Sequence, residues 1–172
     1  SRGRFEEAAR AYSRVLETHR RVLGPDRRET VGVMNNLAVV YWRMKRYSNA
    51  ETLLTQAIEV HRRQLGEDHP TTLNALGTLA LVYSDQGRHA DAAALHRRIL
   101  ELRQRSLGEA HPSTLRSMNN LAVALTGLKS YDEAAAIFAR LIAMYVQLQL
   151  QNDPGFAIAI HSRGELNIAR SN

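Results

Sequence analysis

One run of residues is written twice. "LGEDHPTTLNALGTLALVY" occupies 65–83, and "LGEAHPSTLRSMNNLAVAL" occupies 107–125. Leu-Gly stands at 23–24, 65–66 and 107–108, so the period is 42 residues. His-Pro recurs at 69–70 and 111–112, and Asp153-Pro154 falls one period further on. Thr30, Thr72 and Thr114 align, as do the pairs Leu37-Ala38, Leu79-Ala80 and Leu121-Ala122. Ala8, Ala50, Ala92 and Ala134 form a fourth column. So many columns at one period restrict the chain to an array of stacked, similar units.

Each unit carries two amphipathic helices. In the first helix, Met34, Leu37, Ala38 and Tyr41 share one face at spacing i, i+3, i+4, i+7. Leu76, Leu79, Ala80, Tyr83 and Met118, Leu121, Ala122, Leu125 repeat that face. In the second helix the face is Ala50, Leu53, Leu54, Ala57 and Ile58. Its counterparts are Ala8, Ala11, Tyr12, Val15, Leu16 and Ala134, Ile137, Phe138, Leu141, Ile142. Pro70 and Pro112 suit the first turn of a helix, where a missing N–H costs nothing. Asp68 favours the positive end of the same helix. Gly66 and Gly108 are expected as left-handed caps, and Gly87 and Gly127 at the tight turns within helix pairs. The alanine columns let antiparallel backbones approach closely. One pair cannot bury both its faces, so neighbours must stack into a solenoid with a concave and a convex side.

The units read as a second helix at 1–24, repeats at 25–66, 67–108 and 109–150, and a degenerate first-type helix at 151–172. In strict register Arg163 and Gly164 occupy the Leu121-Ala122 slot. A five-residue insertion would place Ile168-Ala169 there instead. The start in mid-repeat, without Met, is expected of a piece of a longer protein.

Composition removes several classes of function. There is no Cys, so disulfides, thiolate metal sites and Cys nucleophiles are excluded, and a reducing, cytoplasmic setting is expected. No apolar run reaches the roughly 18 residues of a membrane span. Of 23 basic residues only Lys45 and Lys129 are lysines; with 17 acidic residues the net charge is +6. That balance reads either as codon bias toward Arg or as a preference for acidic partners.

The spacing Leu37-Ala38, Tyr41, Ala50, Leu54, Ala57 resembles the tetratricopeptide repeat (TPR). The usual period is about 34 residues, so the extra length adds about two helical turns to each pair. With "LGxxHP" between units and "NNLA" in the first helix, the chain is similar to the kinesin light chain subclass. This resemblance implies an all-α fold, a right-handed superhelical solenoid of antiparallel helix pairs. It also implies a protein-interaction module whose first helices line the concave groove.

On a helical wheel the face opposite Leu37 and Tyr41 holds Gly32, Asn35, Val39 and Trp42, flanked by Asn36 and Arg43. The matching positions include Asn74, Gly77, Thr78 and Leu81 in the next unit, and Arg116, Asn119, Asn120 and Val123 in the third. Asn is a poor mid-helix residue, yet its amide offers both a donor and an acceptor. The resemblance assigns it to holding an extended peptide, through Asn36 and Asn120 first and Asn35 and Asn119 second. Bridging between neighbouring repeats is the structural alternative. Arg43 and Arg116 can clamp carboxylates or lie on a solvated face. Trp42 is either an apolar anchor for a partner or a packed residue.

No metal or cofactor is expected. His69 and His111 sit in equivalent loops a full period apart. His19 and His61 share a column with Arg103 and Tyr145 at the edge of the core face, and His96 fills the packed column of Tyr12, Leu54 and Phe138. No phosphate loop, HExxH or nucleophile elbow is present, so no enzyme is expected. Arg20-Arg21, Arg62-Arg63 and Arg97-Arg98 could form a nucleic-acid stripe, but Glu17, Glu59 and Glu101 alternate with them. The expected partner is a protein or peptide, acidic in preference. The alternatives are packing in cis on another domain and self-association through the open ends of the array.

Overall fold

The computed structural model describes residues 2–171, and among them every regular element is an α-helix. In chain order these are α1 (Arg2–Val22), α2 (Arg28–Arg43), α3 (Tyr47–Leu65), α4 (Pro70–Asp85), α5 (His89–Leu107), α6 (Pro112–Gly127), α7 (Tyr131–Gln147) and α8 (Pro154–Ser171). The chain divides into two compact units, one ending at Val82 and the other beginning at Tyr83. In the first, α2 packs against both α1 and α3. In the second, α6 packs against α5, α7 and α8, and α8 also lies on α7.

The aligned columns are the core. Leu37, Ala38, Leu79, Ala80, Leu121 and Ala122 are all buried. Ala50, Ala92 and Ala134 are 0% exposed, which is what close backbone approach requires. The face expected of α1 departs from this pattern. Ala9 and Leu16 are buried, but Ala11 and Val15 are exposed, and Ala8 and Tyr12 are only half-buried. The side of α1 marked by Phe5, Val15 and Val22 faces outward.

The motif between repeats is a hydrogen-bonded clamp. Gly24, Gly66 and Gly108 have φ of +99°, +97° and +83°. At Gly66 ψ is 164°, so this is not a left-handed helical cap but the extended positive-φ region, which is essentially reserved for glycine. The freed carbonyl has a partner. Thr30 Oγ1 donates to Gly24 O and Thr72 Oγ1 donates to Gly66 O, each at 2.8 Å. Thr114 instead donates to Arg103 O at 3.5 Å. All three threonines are fully buried, which explains the invariant column.

The His-Pro pairs start helices. His69 Nδ1 accepts from Thr71 N at 3.2 Å, and His111 Nδ1 accepts from Ser113 N at 3.1 Å. Asp153 Oδ1 takes the same role toward Gly155 N at 2.7 Å. Each side chain satisfies a backbone donor that the first helical turn leaves open. The start of α8 therefore keeps the strict 42-residue spacing. Its interior does not keep the pattern: Ala159, Ser162 and Leu166 are the buried residues, while Arg163, Gly164 and Ile168 are exposed. Neither sequence register puts a Leu-Ala pair into a core here.

The turns within pairs place the left-handed residue in one column. Lys45, Gly87 and Lys129 have φ of +59°, +76° and +62°. Gly127, expected at this turn, is instead the last residue of α6. A Cβ on Gly127 would lie 2.7 Å from His89 Nδ1, so it is glycine for close approach and not for its φ. Left-handed backbone disfavours a side chain by roughly 1–2 kcal/mol, partly offset by the entropy of an unfolded glycine. Lys45→Gly and Lys129→Gly are each expected to stabilise the chain by roughly 0.5–1 kcal/mol. Urea denaturation reads this directly, and an unchanged or lower midpoint would contradict it.

Candidate partner-binding site

The first helices carry an apolar residue on their outer face once per period. Val39, Leu81 and Val123 are 38%, 43% and 45% exposed although each lies mid-helix. Around them, Asn36, Arg43, Asn74 and Arg116 are exposed, while Trp42, Thr78 and Asn120 are half-buried. Arg43 stacks its guanidinium over the Trp42 ring, 4.7 Å from the centroid. That stacking covers one ring face and fixes the planar fork of the arginine. Thr78 Oγ1 donates to Asn74 O at 3.1 Å, a local bond within α4.

Asn35 and Asn119 are half-buried, like Trp42, Thr78 and Asn120. Asn35 Nδ2 lies 3.3 Å from His61 Nε2. An amide nitrogen can only donate, so the imidazole nitrogen accepts. Burial lowers the His61 pKa, and His69 lowers it further, which keeps the ring neutral for this role. The Oδ1 atoms of both Asn35 and Asn119 are buried without a hydrogen-bond partner. An orphaned buried acceptor is rare and destabilising in a folded chain. Here it occurs twice, at the same repeat position.

Each of these amides borders a cavity. In the first unit a 330 Å³ cavity lies between the starts of α2 and α4, lined by Arg28, Val31, Asn35, His61, Gln64 and His69 among others. In the second unit a 340 Å³ cavity is lined by Pro112, Leu115, Arg116, Asn119, Tyr145, Asp153 and Ile158 among others. The two sets are equivalent, two periods apart: Arg28 with Pro112, Val31 with Leu115, Asn35 with Asn119, His61 with Tyr145, His69 with Asp153. Burial raises the Tyr145 pKa, with Asp153 contributing. Of the residues expected to bind a partner, the structure gathers Arg116 and Asn119 at one cavity and Asn35 at the other. Asn36, Val39, Trp42, Arg43, Asn74, Thr78, Leu81, Asn120 and Val123 line neither.

His61, Tyr145, Arg28 and His69 are the residues that sequence reasoning left out of the site. The signal for the first two was the column His19, His61, Arg103, Tyr145. Its third member behaves differently. Arg103 is buried, and its Nη1 donates to Ser117 Oγ at 2.8 Å and Ser113 O at 3.2 Å. Burial lowers its pKa, and the nearby Arg116 charge adds to this.

A tetratricopeptide repeat model matches residues 1–59, 29–105 and 79–146. The chain belongs to the tetratricopeptide repeat family. As a TPR chain it shares its fold with the putative kinesin light chain of Podosopora anserina, whose structure is described as having nearly identical TPR-like repeats. That protein gives a TM-score of 0.86 at 22% identity, over 98% of this chain and 80% of that one. BtubC (BKLC) of P. vanneervenii gives 0.76 at 21% identity, over 86% of this chain and 59% of that one. The apo form of RapI gives 0.72 at 17%, over 98% and 46%. A search of curated sequences gave no match. These likenesses establish the all-α TPR solenoid class, and TPR arrays are in general protein-interaction modules and non-enzymatic scaffolds.

Arg20, Arg62, Arg63, Arg97 and Arg98, on the second helices of this TPR chain, are engaged within the protein. Arg20 donates to Gln56 at 2.7 Å, and Arg63 and Arg97 pair with Asp26 and Glu133 at 2.9 and 2.6 Å. Arg62 and Arg98 lie 3.5 Å from Glu67 and Glu101. Such pairing weakens the field that a nucleic-acid stripe needs. No helix among the described residues is long and apolar enough to cross a membrane. No cluster of three His, Asp or Glu residues able to hold a metal occurs among them either.

Proposed function

We propose that this TPR array binds an extended segment of a partner protein on the outer faces of its first helices. Asn35 holds such a segment's main chain in the first unit, and Asn119 does so in the second. The observation that carries this is the repeated cavity lined by Asn35 in one unit and by Asn119 in the other, each with an amide oxygen that has no partner within the protein. Such an oxygen needs an N–H donor, and an extended main chain supplies one at regular intervals. The exposed apolar residues Val39 and Leu81 in the first unit, and Val123 in the second, give a bound segment a sequence-tolerant contact. Asn36 and Asn120, on the same helices, take the outer, solvent-side contacts, with Arg43, Trp42, Asn74, Thr78 and Arg116 at the edges. The lack of cysteine fits a cytoplasmic setting for such a module.

Peptides selected from a random library on the immobilised chain provide the test. Asn35→Ala combined with Asn119→Ala is expected to weaken the selected peptides about tenfold or more, which corresponds to about 1.4 kcal/mol. Asn119→Ala alone should leave the thermal midpoint the same or raise it, because it removes an orphaned acceptor, whereas Asn35→Ala also gives up the bond to His61 and should lower it by an amount that peptide affinity does not track. Unchanged affinity in the double variant, or a wild-type chain that selects no peptide, would remove the proposal.

A further inference from the structure

The two equivalent cavities differ in charge and in what titrates. The first-unit cavity has His61, near the end of α3, and His69, just before α4, in its wall, with Arg28 and no carboxylate. The second-unit cavity has Tyr145 and Asp153 at the same two repeat positions, with Arg116 beside them. Tyr145 is buried as His61 is, and Asp153 caps its helix as His69 does. The repeat therefore accepts other residues at both positions, and packing demands an imidazole at neither. Four copies of this pair of positions occur, 19 with 27, 61 with 69, 103 with 111 and 145 with 153, and only 61 with 69 places histidine at both.

Both rings work as acceptors. His61 Nε2 lies 3.3 Å from Asn35 Nδ2, and His69 Nδ1 accepts from Thr71 N at 3.2 Å. A protonated imidazole has two donors and no acceptor, so a proton on either ring removes the bond that ring makes. The cavity wall offers the new charge no carboxylate. From α2 it takes the cation Arg28, and from α4 only Thr71. On α3 itself Gln64 lines the cavity, while Arg62 and Arg63 lie against Glu67 and Asp26. Glu29, Glu67 and Asp68 do not line it. Asn35 supplies a second state. Its Nδ2 is engaged while its Oδ1 is buried without a partner. Once Nε2 becomes a donor, turning the amide over presents Oδ1 to it. The amide thus has two orientations, each with one end satisfied, and the proton selects between them. Burial, and after it the charge of His69, lowers the His61 pKa from 6.5, so the two rings oppose each other's protons.

We propose that His61 and His69 form a proton switch at the junction of α2, α3 and α4. With both rings neutral, Asn35 is held by its Nδ2 and the first turn of α4 is capped. A proton on His61 turns the Asn35 amide over, and a proton on His69 releases the first turn of α4 from its cap. The switch needs no ligand and stands apart from the peptide-binding reading. Its direction follows from linkage. Folding lowers the His61 pKa, so the unfolded chain takes up that proton more readily. The stabilisation from the neutral ring is present above pH 6.5 and is lost as pH falls below it. The bond from Thr72 Oγ1 to Gly66 O involves no titrating group and keeps α4 tied to the end of α3, so the change stays within the junction.

The test follows ring and amide signals of the full, ¹³C- and ¹⁵N-labelled chain by NMR from about pH 7.5 to about pH 5, the span in which imidazoles titrate. The Asn35 side-chain NH2 pair is expected to shift together with the His61 ring, at a midpoint below 6.5. The Thr71 N–H should shift together with the His69 ring. Signals of the second unit, including the Gly155 N–H that Asp153 caps, should stay in place and show that the chain is still folded. Two variants borrow the residues of the second unit. His61→Tyr should leave the Asn35 pair without a pH response while Thr71 still responds. His69→Asp should raise the His61 midpoint, because a carboxylate replaces the charge that opposes its proton. An Asn35 or Thr71 signal that stays put while its ring titrates would overturn the proposal. So would an unmoved or lowered His61 midpoint in His69→Asp. A His61 ring that gains its proton only as every signal of the first unit disappears would show unfolding in place of a switch, and would overturn it as well.

Discussion

Phe138→Ala is expected to destabilise the chain by about 3–5 kcal/mol, the usual range for removing a fully buried aromatic side chain. Phe138 is 0% exposed in α7, and it is the bulkiest side chain in the core that water does not reach. Its deletion leaves a cavity that a close-packed interior closes only in part. The loss is a large share of the roughly 5–15 kcal/mol that holds a typical domain together. Because repeat arrays are stabilised between neighbours, the loss should fall first on the unit that contains α7. Urea denaturation followed by circular dichroism should show an earlier transition, split from that of the first unit. Tyr12→Ala supplies the internal comparison. Tyr12 stands in the same column of the repeat but is only half-buried in α1. Its replacement should lower stability by about 1–2 kcal/mol, scaled to the smaller area buried. Equal losses at the two positions would mean that the column, and not the burial, sets the energy.

That comparison shows where sequence reasoning works in this protein and where it stops. A 42-residue period forces the same residue types into the same packing roles, so Leu37-Ala38 and its copies were legible before any coordinates. Ala50, Ala92 and Ala134 were legible for the same reason. The period also exposes Thr30, Thr72 and Thr114, but the role of the first two depends on a carbonyl freed by the positive φ of the glycine six residues earlier. A pattern of residue types does not contain that dihedral. Gly127 misleads in the opposite sense, because the left-handed turn falls on Lys129 and the glycine answers to the His89 ring.

The candidate site was legible only as a face. A helical wheel assigns Asn35 and Asn36 an angle on the helix but not a depth. Depth follows from what the end of the second helix places beside them, His61 in one unit and Tyr145 in the other. Each cavity draws on three separated stretches, the start of one first helix, the end of the second helix and the start of the next. The charge difference between them lies in Arg28 against Pro112, where the first copy of the motif lacks its His-Pro.

His96 makes a further expected result, in the pH dependence of stability. It occupies the column of Leu54 and Phe138 and is 3% exposed. Burial, with the Arg103 charge behind it, lowers its pKa from 6.5 to about 4. The folded chain therefore resists protonating His96 over a range in which the unfolded chain accepts the proton. Between those two values the unfolded state binds more protons, so stability rises with pH there and falls as the solution is acidified. The stabilisation is fully present above pH 6.5 and is lost progressively down to about pH 4. At about 1.4 kcal/mol per pKa unit the loss amounts to roughly 3 kcal/mol. Carboxylates titrate over part of the same range, so the measurement is a difference between two proteins. His96→Leu places the Leu54 side chain type at the equivalent slot and removes the titrating ring. Denaturation midpoints taken from about pH 7.5 to about pH 4.5, the span in which the two protonation states diverge, should fall less steeply in this variant. Its advantage over the parent should grow as pH falls. Parallel profiles for the two chains would show that His96 takes up its proton in the fold as readily as it does in the open chain. In that case the acid sensitivity of the array would rest on its surface ion pairs, such as Arg97–Glu133, which links one helix pair to the next.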